Sequence, residues 1–279
     1  MAWSEWTSAF DRELTSIRYE KRYRERGGGV ARIVLACPER LNTYDVAMGR
    51  EIIAAFQDAN KDNTIGVVLF THEGPHWGVG GNVQGLTDDA NSEQMIIGQI
   101  TPDVLIQRCF KPVIAVVRGY SVGMHNHMAY HCDFTLAGES AVFGQSGPKV
   151  GSPISGSLVA ISATVLGMKR ARQMWMLTQQ FTAQEALDWG LVNAVVQDRL
   201  LDEEAEHWCD QLLDRVPTSI AAIKQTFEAM NAPLAGTNNV LTLIEPDFGG
   251  RPEPAEAGTA FFEKRPPNFW TDEMTKDRF

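Results

Sequence analysis

The sequence predicts an α/β protein, and three observations predict it. Continuous apolar runs of strand length alternate with helical patterns through the first half of the chain. From Ile161 onward the pattern is almost wholly helical. No internal repeat and no composition break marks a linker. These features read as one catalytic core over residues 1–200 and a C-terminal helical extension over residues 201–279.

The elements follow in order. Residues 17–23 and 30–36 form a hairpin around Gly27, Gly28 and Gly29, because VARIVLA is dense in β-branched residues and the glycines permit the turn. Residues 42–61 predict a helix with Met48, Ile52, Ile53 and Phe56 at helical spacing and Asp45 near its start. IGVVLFT (65–71) and PVIAVVR (112–118) are buried strands by their unbroken apolar character. A Gly-rich loop (74–85) and a helix (92–108) lie between them. A short helix over 124–131 and a strand over 134–137 come next, then a Gly/Ser/Pro-rich loop over 143–157. Thr182 to Glu185 is a capping-box pattern, and Gly190 ends the helix it opens. Helices over 203–216 and 218–230 precede a tail rich in Pro and Gly.

The chain has 279 residues, 44% of them hydrophobic and 22% charged, enough apolar material for a sizeable core and too much for a disordered chain. The net charge of -10 argues against a nucleic-acid partner, since phosphate backbones require a clustered basic face. The start carries Glu5, Asp11 and Glu13 with no apolar run, so no secretory signal is expected. No apolar stretch is long enough to predict a membrane span. Cys37, Cys109, Cys132 and Cys209 form no CxxC pair, which predicts buried reduced thiols in a cytoplasmic protein.

Two glycine-containing loops, each directly after a buried strand, carry the functional signal. One is Val79-Gly80-Gly81-Asn82 and the other is Gly119 to Met124. Amides converging from two such loops would hold negative charge on a carbonyl oxygen. On spacing alone, a plain turn outranks a catalytic loop at both places.

The stretches PERLNTYD (38–45), IGVVLFT, GVGGN (78–82), KPVIAVVRGYSVG (111–123), CDFTLAGESAVFGQSGPKVGS (132–152), GMKRARQMW (167–175) and TAQEALDWGLVNAVV (182–196) together resemble the crotonase superfamily, over roughly residues 17–230. Several of these segments are most similar to dihydroxynaphthoyl-CoA synthases and to ring-opening ketocyclohexanecarboxyl-CoA and oxocyclohexenecarbonyl-CoA hydrolases. The resemblance implies a spiral of ββα units, a homotrimer or hexamer, and an acyl-CoA thioester as substrate. It implies an enolate held by the backbone amides of Gly81 and Met124, the latter in place of the usual glycine. No redox cofactor and no metal are implied.

Both carboxylates of a hydratase are missing: His127 and Gly147 stand at those positions. The synthase motif resembles a bicarbonate site at Gln145, Gly147 and Trp175; a tight loop and a core tryptophan explain the same residues equally well. The motif's aspartate is Ile154 here, and DFGG (247–250) stands where a tyrosine pair is expected. The chain instead gains His125, His127 and His131 on one short helix. His127 is the first general acid/base candidate, His125 the next, and His131 reads as a packed residue. Ser152 and Ser155 are weaker candidates without a base. Trp77 and His76 are placed to line an acyl pocket or a surface loop, Tyr44 lies in a CoA-contacting region, and Asn82 reads as a helix cap. Lys264 and Arg265 pair either with CoA phosphates or with solvent.

These residues lead to a hydrolase that opens the ring of an alicyclic β-keto acyl-CoA. Four other readings stand beside it: a synthase-like cyclisation, a hydratase or isomerase using His127, a β-diketone hydrolase that needs no CoA, and a non-catalytic CoA-ester-binding protein.

Overall fold

The computed structural model describes residues 3–81 and 101–275. Strands β1 (Thr7–Ser8), β2 (Ile17–Tyr23), β3 (Gly29–Leu35), β4 (Ile65–His72), β5 (Val113–Val117), β7 (Phe134–Gly138) and β10 (Ala194–Val196) join one sheet in the order β1-β2-β3-β4-β5-β7-β10. Strands β6 (Tyr120–Val122), β8 (Val142–Gly144) and β9 (Gln180–Thr182) form a smaller sheet in the order β6-β8-β9. The β2–β3 pair is the antiparallel hairpin expected from the glycine turn, while β3, β4, β5, β7 and β10 run parallel. Each of β5 and β7 is followed by a short strand that crosses into the smaller sheet and then by a helix, Met124–His131 and Gly147–Val150 respectively. This is the repeating ββα unit.

The period-two alternation of strand side chains splits the apolar residues between two faces. Ala31, Ile33, Leu35, Val68, Phe70, Val113, Ala115 and Val117 pack on one side with Met48, Ile52, Phe56 and Met128. Val30, Val67, Leu69, Ile114, Val116 and Leu136 face the other way and meet Leu201, Ala205 and Cys209. Those three lie four residues apart on the helix Leu201–Leu213, a stripe along one face. The helix that begins the expected C-terminal extension therefore closes the second face of the core sheet.

Helix starts follow local chemistry. Asp45 caps the helix Val46–Lys61 by accepting from the Met48 amide at 2.8 Å. Thr182 and Glu185 form the full capping box on the helix Ala183–Asp188. Of the helix expected over 92–108, the described part is Pro102–Arg108; the remainder lies outside the described residues. The loop expected over 143–157 is a correction: it contains the end of β8 and the helix Gly147–Val150, four residues too short to show a period. All four cysteines are free thiols. Among the described residues no helix is long and apolar enough to cross a membrane.

The later helices are tied to the core by one buried charge. Lys224, on the helix Pro217–Asn231, is 4% exposed and donates to the Ile106 and Lys111 carbonyls at 2.9 and 3.1 Å and to Asp133 at 2.6 Å. Asp133 in turn accepts from the Val113 amide at 2.8 Å, so one carboxylate joins strand β5 to the C-terminal helix. Removing one partner of such a pair strands the other. Lys224→Met should lower the unfolding free energy by about 3 kcal/mol, read as a shift in the urea midpoint.

Candidate active site

The loop after β4 and the strand β6 are bonded edge to edge. The Trp77 amide donates to the Arg118 carbonyl at 2.9 Å, the Gly78 amide to Tyr120 at 2.8 Å, and the Val122 amide to Gly78 at 3.1 Å. Asn42, fully buried, holds the loop from the other side: it accepts from the Cys37 amide at 2.8 Å and donates to the Glu73 and His76 carbonyls at 3.1 and 2.9 Å. The sequence reading passed over Asn42, although its φ of +53° is a conformation that asparagine tolerates better than most residues.

This pairing brings Gly80 and Gly123 into van der Waals contact. A Cβ on Gly80 would stand 3.3 Å from the Val122 carbonyl oxygen, and one on Gly123 would stand 3.2 Å from the Gly80 Cα. Both also have positive φ, +97° and +62°, so glycine is required on two counts. Gly123 then opens the helix Met124–His131 without a side-chain cap. The Met124 amide is in that helix's first turn, where amides lack intrahelical acceptors. Gly81 has no heavy atom within 4 Å of where its Cβ would be.

A cavity of about 220 Å³ lies here, and Gly81 and Met124 both line it. Tyr44, His127, Gln145, Gly147, Ser152 and Ile154 complete the wall used below. Among the described residues lining it there is no Asp or Glu.

The three histidines have different surroundings. His127 lines the cavity, is 3% exposed, and contacts Gln145 Oε1 through Nε2 at 3.2 Å. Gln145 Nε2 points to the Gly123 carbonyl at 3.5 Å, so its Oε1 faces His127 and must receive a proton. His127 is therefore the Nε2–H tautomer, and its buried Nδ1 has no partner among the described residues. Burial holds this ring well below the usual imidazole range, with His131 adding to the effect. At neutral pH it is uncharged.

His125 lies outside the cavity wall and is fully buried. Its Nδ1 accepts from the Gly80 amide at 3.1 Å, and its carbonyl accepts from the Trp77 indole at 3.1 Å. A Cβ on Gly78 would strike its ring. His125 thus holds the first loop instead of facing a substrate, because two residues along a helix turn the side chain to the opposite side. Trp77 is likewise a core residue, fully buried against Phe70, and not a cavity wall. His131 Nδ1 donates to the His127 carbonyl at 2.7 Å. The three rings do not converge, and among the described residues no three metal-ligating side chains are placed to share an ion.

The residues considered for a bicarbonate do not fit one here. The Trp175 indole donates to Ser162 Oγ at 2.9 Å, and its ring packs 5.4 Å from that of His127. The space a side chain would take at Gly147 is filled by Ile154, whose Cγ1 would be 2.9 Å from a Cβ there. Ser152 stands on the cavity wall beside them. Tyr44 also reaches the wall, its phenol pushed up by burial and by the Asp103 and Asp45 carboxylates. His76 is bonded to the Tyr120 amide through Nδ1 at 3.2 Å. Asn82 lies outside the described residues. Arg265 is engaged with its own segment, pairing with Glu256 at 2.6 and 2.8 Å and with Glu263 at 2.6 Å. Lys264 beside it is exposed.

Two strand-end loops that bring Gly81 and Met124 to one cavity, on ββα units, agree with the crotonase superfamily, a family of enzymes. The chain belongs to the enoyl-CoA hydratase/isomerase family, whose profile matches residues 25–272. An enoyl-CoA hydratase from Mycobacterium avium subsp. paratuberculosis K-10 is similar at 26% identity, covering 93% of this chain and 100% of that one, with a TM-score of 0.78. An enoyl-CoA hydratase/isomerase from Xanthobacter autotrophicus Py2 is 27% identical over 94% of this chain and 95% of that one, with a TM-score of 0.74. A methylmalonyl-CoA decarboxylase shares the fold, with a TM-score of 0.80 at 20% identity over 92% and 99% of the two chains.

Two predictions follow from this packing. Burial lowers His125 to about 3 and His72 to about 4. Unfolding frees both to titrate near 6.5, so the unfolded chain binds more protons between those values. Stability should be full above about pH 6.5 and fall on acidification toward pH 4, by up to ~1.4 kcal/mol per pH unit for each ring. Urea midpoints across that range read the slope, and His125→Asn should flatten it. Separately, Gly147→Ala should destabilise by about 1–3 kcal/mol through overpacking. Adding Ile154→Ala should recover part of that loss, a coupling visible in a double-mutant cycle.

Proposed function

We propose that this enzyme acts on an acyl-CoA thioester and hydrolyses a C–C bond, opening the ring of an alicyclic β-keto acyl-CoA. One observation carries the reading: a cavity lined by Gly81 and Met124 has a single imidazole, His127, and no carboxylate among the described lining residues. A two-carboxylate hydration needs an acid and a base together; a retro-Claisen cleavage needs one base for water and a cradle for an enolate.

His127 Nδ1 takes a proton from water, and the hydroxide adds to the ring ketone. The bond between that carbon and the α-carbon breaks, and its electron pair passes into the thioester as an enolate. The Gly81 and Met124 amides hold the enolate oxygen. The proton on His127 then returns to the α-carbon. The sum is one added water, with no redox change and no cofactor beyond the CoA of the substrate. Gln145 keeps His127 in the required tautomer, and Ser152 and Tyr44 offer hydroxyls to the acyl group.

The partner expected in solution is further copies of the same chain, as a trimer or a dimer of trimers. Ile223, Phe227 and Met230, three to four residues apart on the helix Pro217–Asn231, are more than half exposed, as are Leu243 and Trp270. Apolar surface of that kind is normally covered by a partner.

Incubation with 2-oxocyclohexanecarboxyl-CoA should give a ring-opened product heavier by one water, read by mass spectrometry. His127→Ala should lower kcat by about 10²–10⁴-fold while CoA-ester binding, followed by calorimetry, stays intact. Unchanged turnover in that variant would remove His127 from the chemistry. A hydrated product with its ring closed would favour the hydratase reading, which the names of the similar structures also suggest.

A further inference from the structure

One buried carboxylate has no part in the account above. Asp103 lies in the first turn of the helix Pro102–Arg108 and is 6% exposed. Among the described residues its Oδ1 has no hydrogen-bond partner. A carboxylate removed from water is costly to hold unless a charge or a donor compensates it. An acid in a first helical turn often serves the helix end, but an oxygen left without a partner is poorly explained by that alone.

The helix carrying Asp103 packs against the helix Met124–His131. There, His127 Nδ1 is also buried and also without a partner. Two orphan acceptors on packed helices lack the same thing, a proton. Once His127 is protonated, the cluster holds a cation as well as an anion. The field of Asp103 reaches four side chains around the cavity floor: it favours the charged form of His127 and His131 and disfavours the phenolates of Tyr130 and Tyr44. Among the described residues the other ionisable groups acting on His127 are His131 and His125, and both disfavour its charge. The neighbouring helix Ser157–Leu166 and strand β7 carry no ionisable side chain, and Tyr120 on β6 is exposed.

We propose that Asp103 is the counter-charge of His127: a buried carboxylate on the adjoining helix that balances the imidazolium formed when His127 takes a proton from water. It touches no substrate and acts through the base, as a positioning residue. This rests on the reading of His127 as the base. The step is a proton transfer alone: water loses the proton and Nδ1 gains it.

Asp103→Asn keeps the shape and removes the charge. It should lower kcat about tenfold to a hundredfold at pH 7 with KM changed less than about twofold, and Asp103→Glu should regain part of the loss. The ¹⁵N resonance of His127 Nδ1, read on the free enzyme, should move in Asp103→Asn and stay near the wild-type position in Asp103→Glu. A purely structural carboxylate would not show that charge-dependent pattern. Wild-type kcat together with an unmoved His127 resonance in Asp103→Asn would overturn the proposal. If Asp103→Asn fails to fold by circular dichroism, Asp103→Ser, which leaves room for a water, takes its place under the same criteria. The resonance needs no substrate, so it still reads the Asp103–His127 coupling if His127→Ala keeps turnover and the catalytic reading itself fails.

Discussion

The pairing of the loop after β4 with strand β6 is the constraint on which the site depends. Three main-chain bonds join Trp77, Gly78 and Val122 to their partners across the two segments. The pairing works only because Gly80 and Gly123 meet without side chains. His125 closes the arrangement from below through the Gly80 amide. Once these contacts exist, Gly81 and Met124 reach the same cavity with no further adjustment. A backbone cradle of this kind is insensitive to side-chain identity, so methionine can stand at position 124. Its geometry is sensitive to anything that separates the two glycines.

Burial then decides the electrostatics. His125 and His127 are at most 3% exposed, and desolvation is the largest influence on both. The same residue type consequently takes two roles. His125 is a neutral acceptor locked under a loop, while His127 is a neutral ring on the cavity wall with one nitrogen unengaged. Ile154 fills the space beside Gly147, and the Trp175 indole is engaged by Ser162.

The C-terminal segments support the site from outside. Lys224 anchors the helix Pro217–Asn231 to Asp133 and through it to strand β5. The helix Pro252–Phe262 packs on the short helix Gly147–Val150, behind the loop that carries Gln145 and Gly147. Its Ala257 and Ala260 are buried in that contact region.

By itself, the sequence determined the elements whose signal is local. The unbroken apolar runs predict β4 and β5, the triple glycine predicts the β2–β3 hairpin, and Thr182 with Glu185 predicts its helix start. The helix Met124–His131 falls on its predicted residues, and the two glycine-containing segments after β4 and β5 were legible as strand ends. The three-residue strands β6, β8, β9 and β10 were not, because three residues carry no readable period. Nor could a helix of eight residues, seven of them buried, show which face meets the cavity. Only the tertiary structure separated His127 from His125, and turned Trp77 and Trp175 to the core. Only packing between helices brought the helix that carries Asp103 against the helix that carries His127, from a segment with no motif. Local sequence sets which element forms, but the direction of a buried side chain is decided by what packs around it.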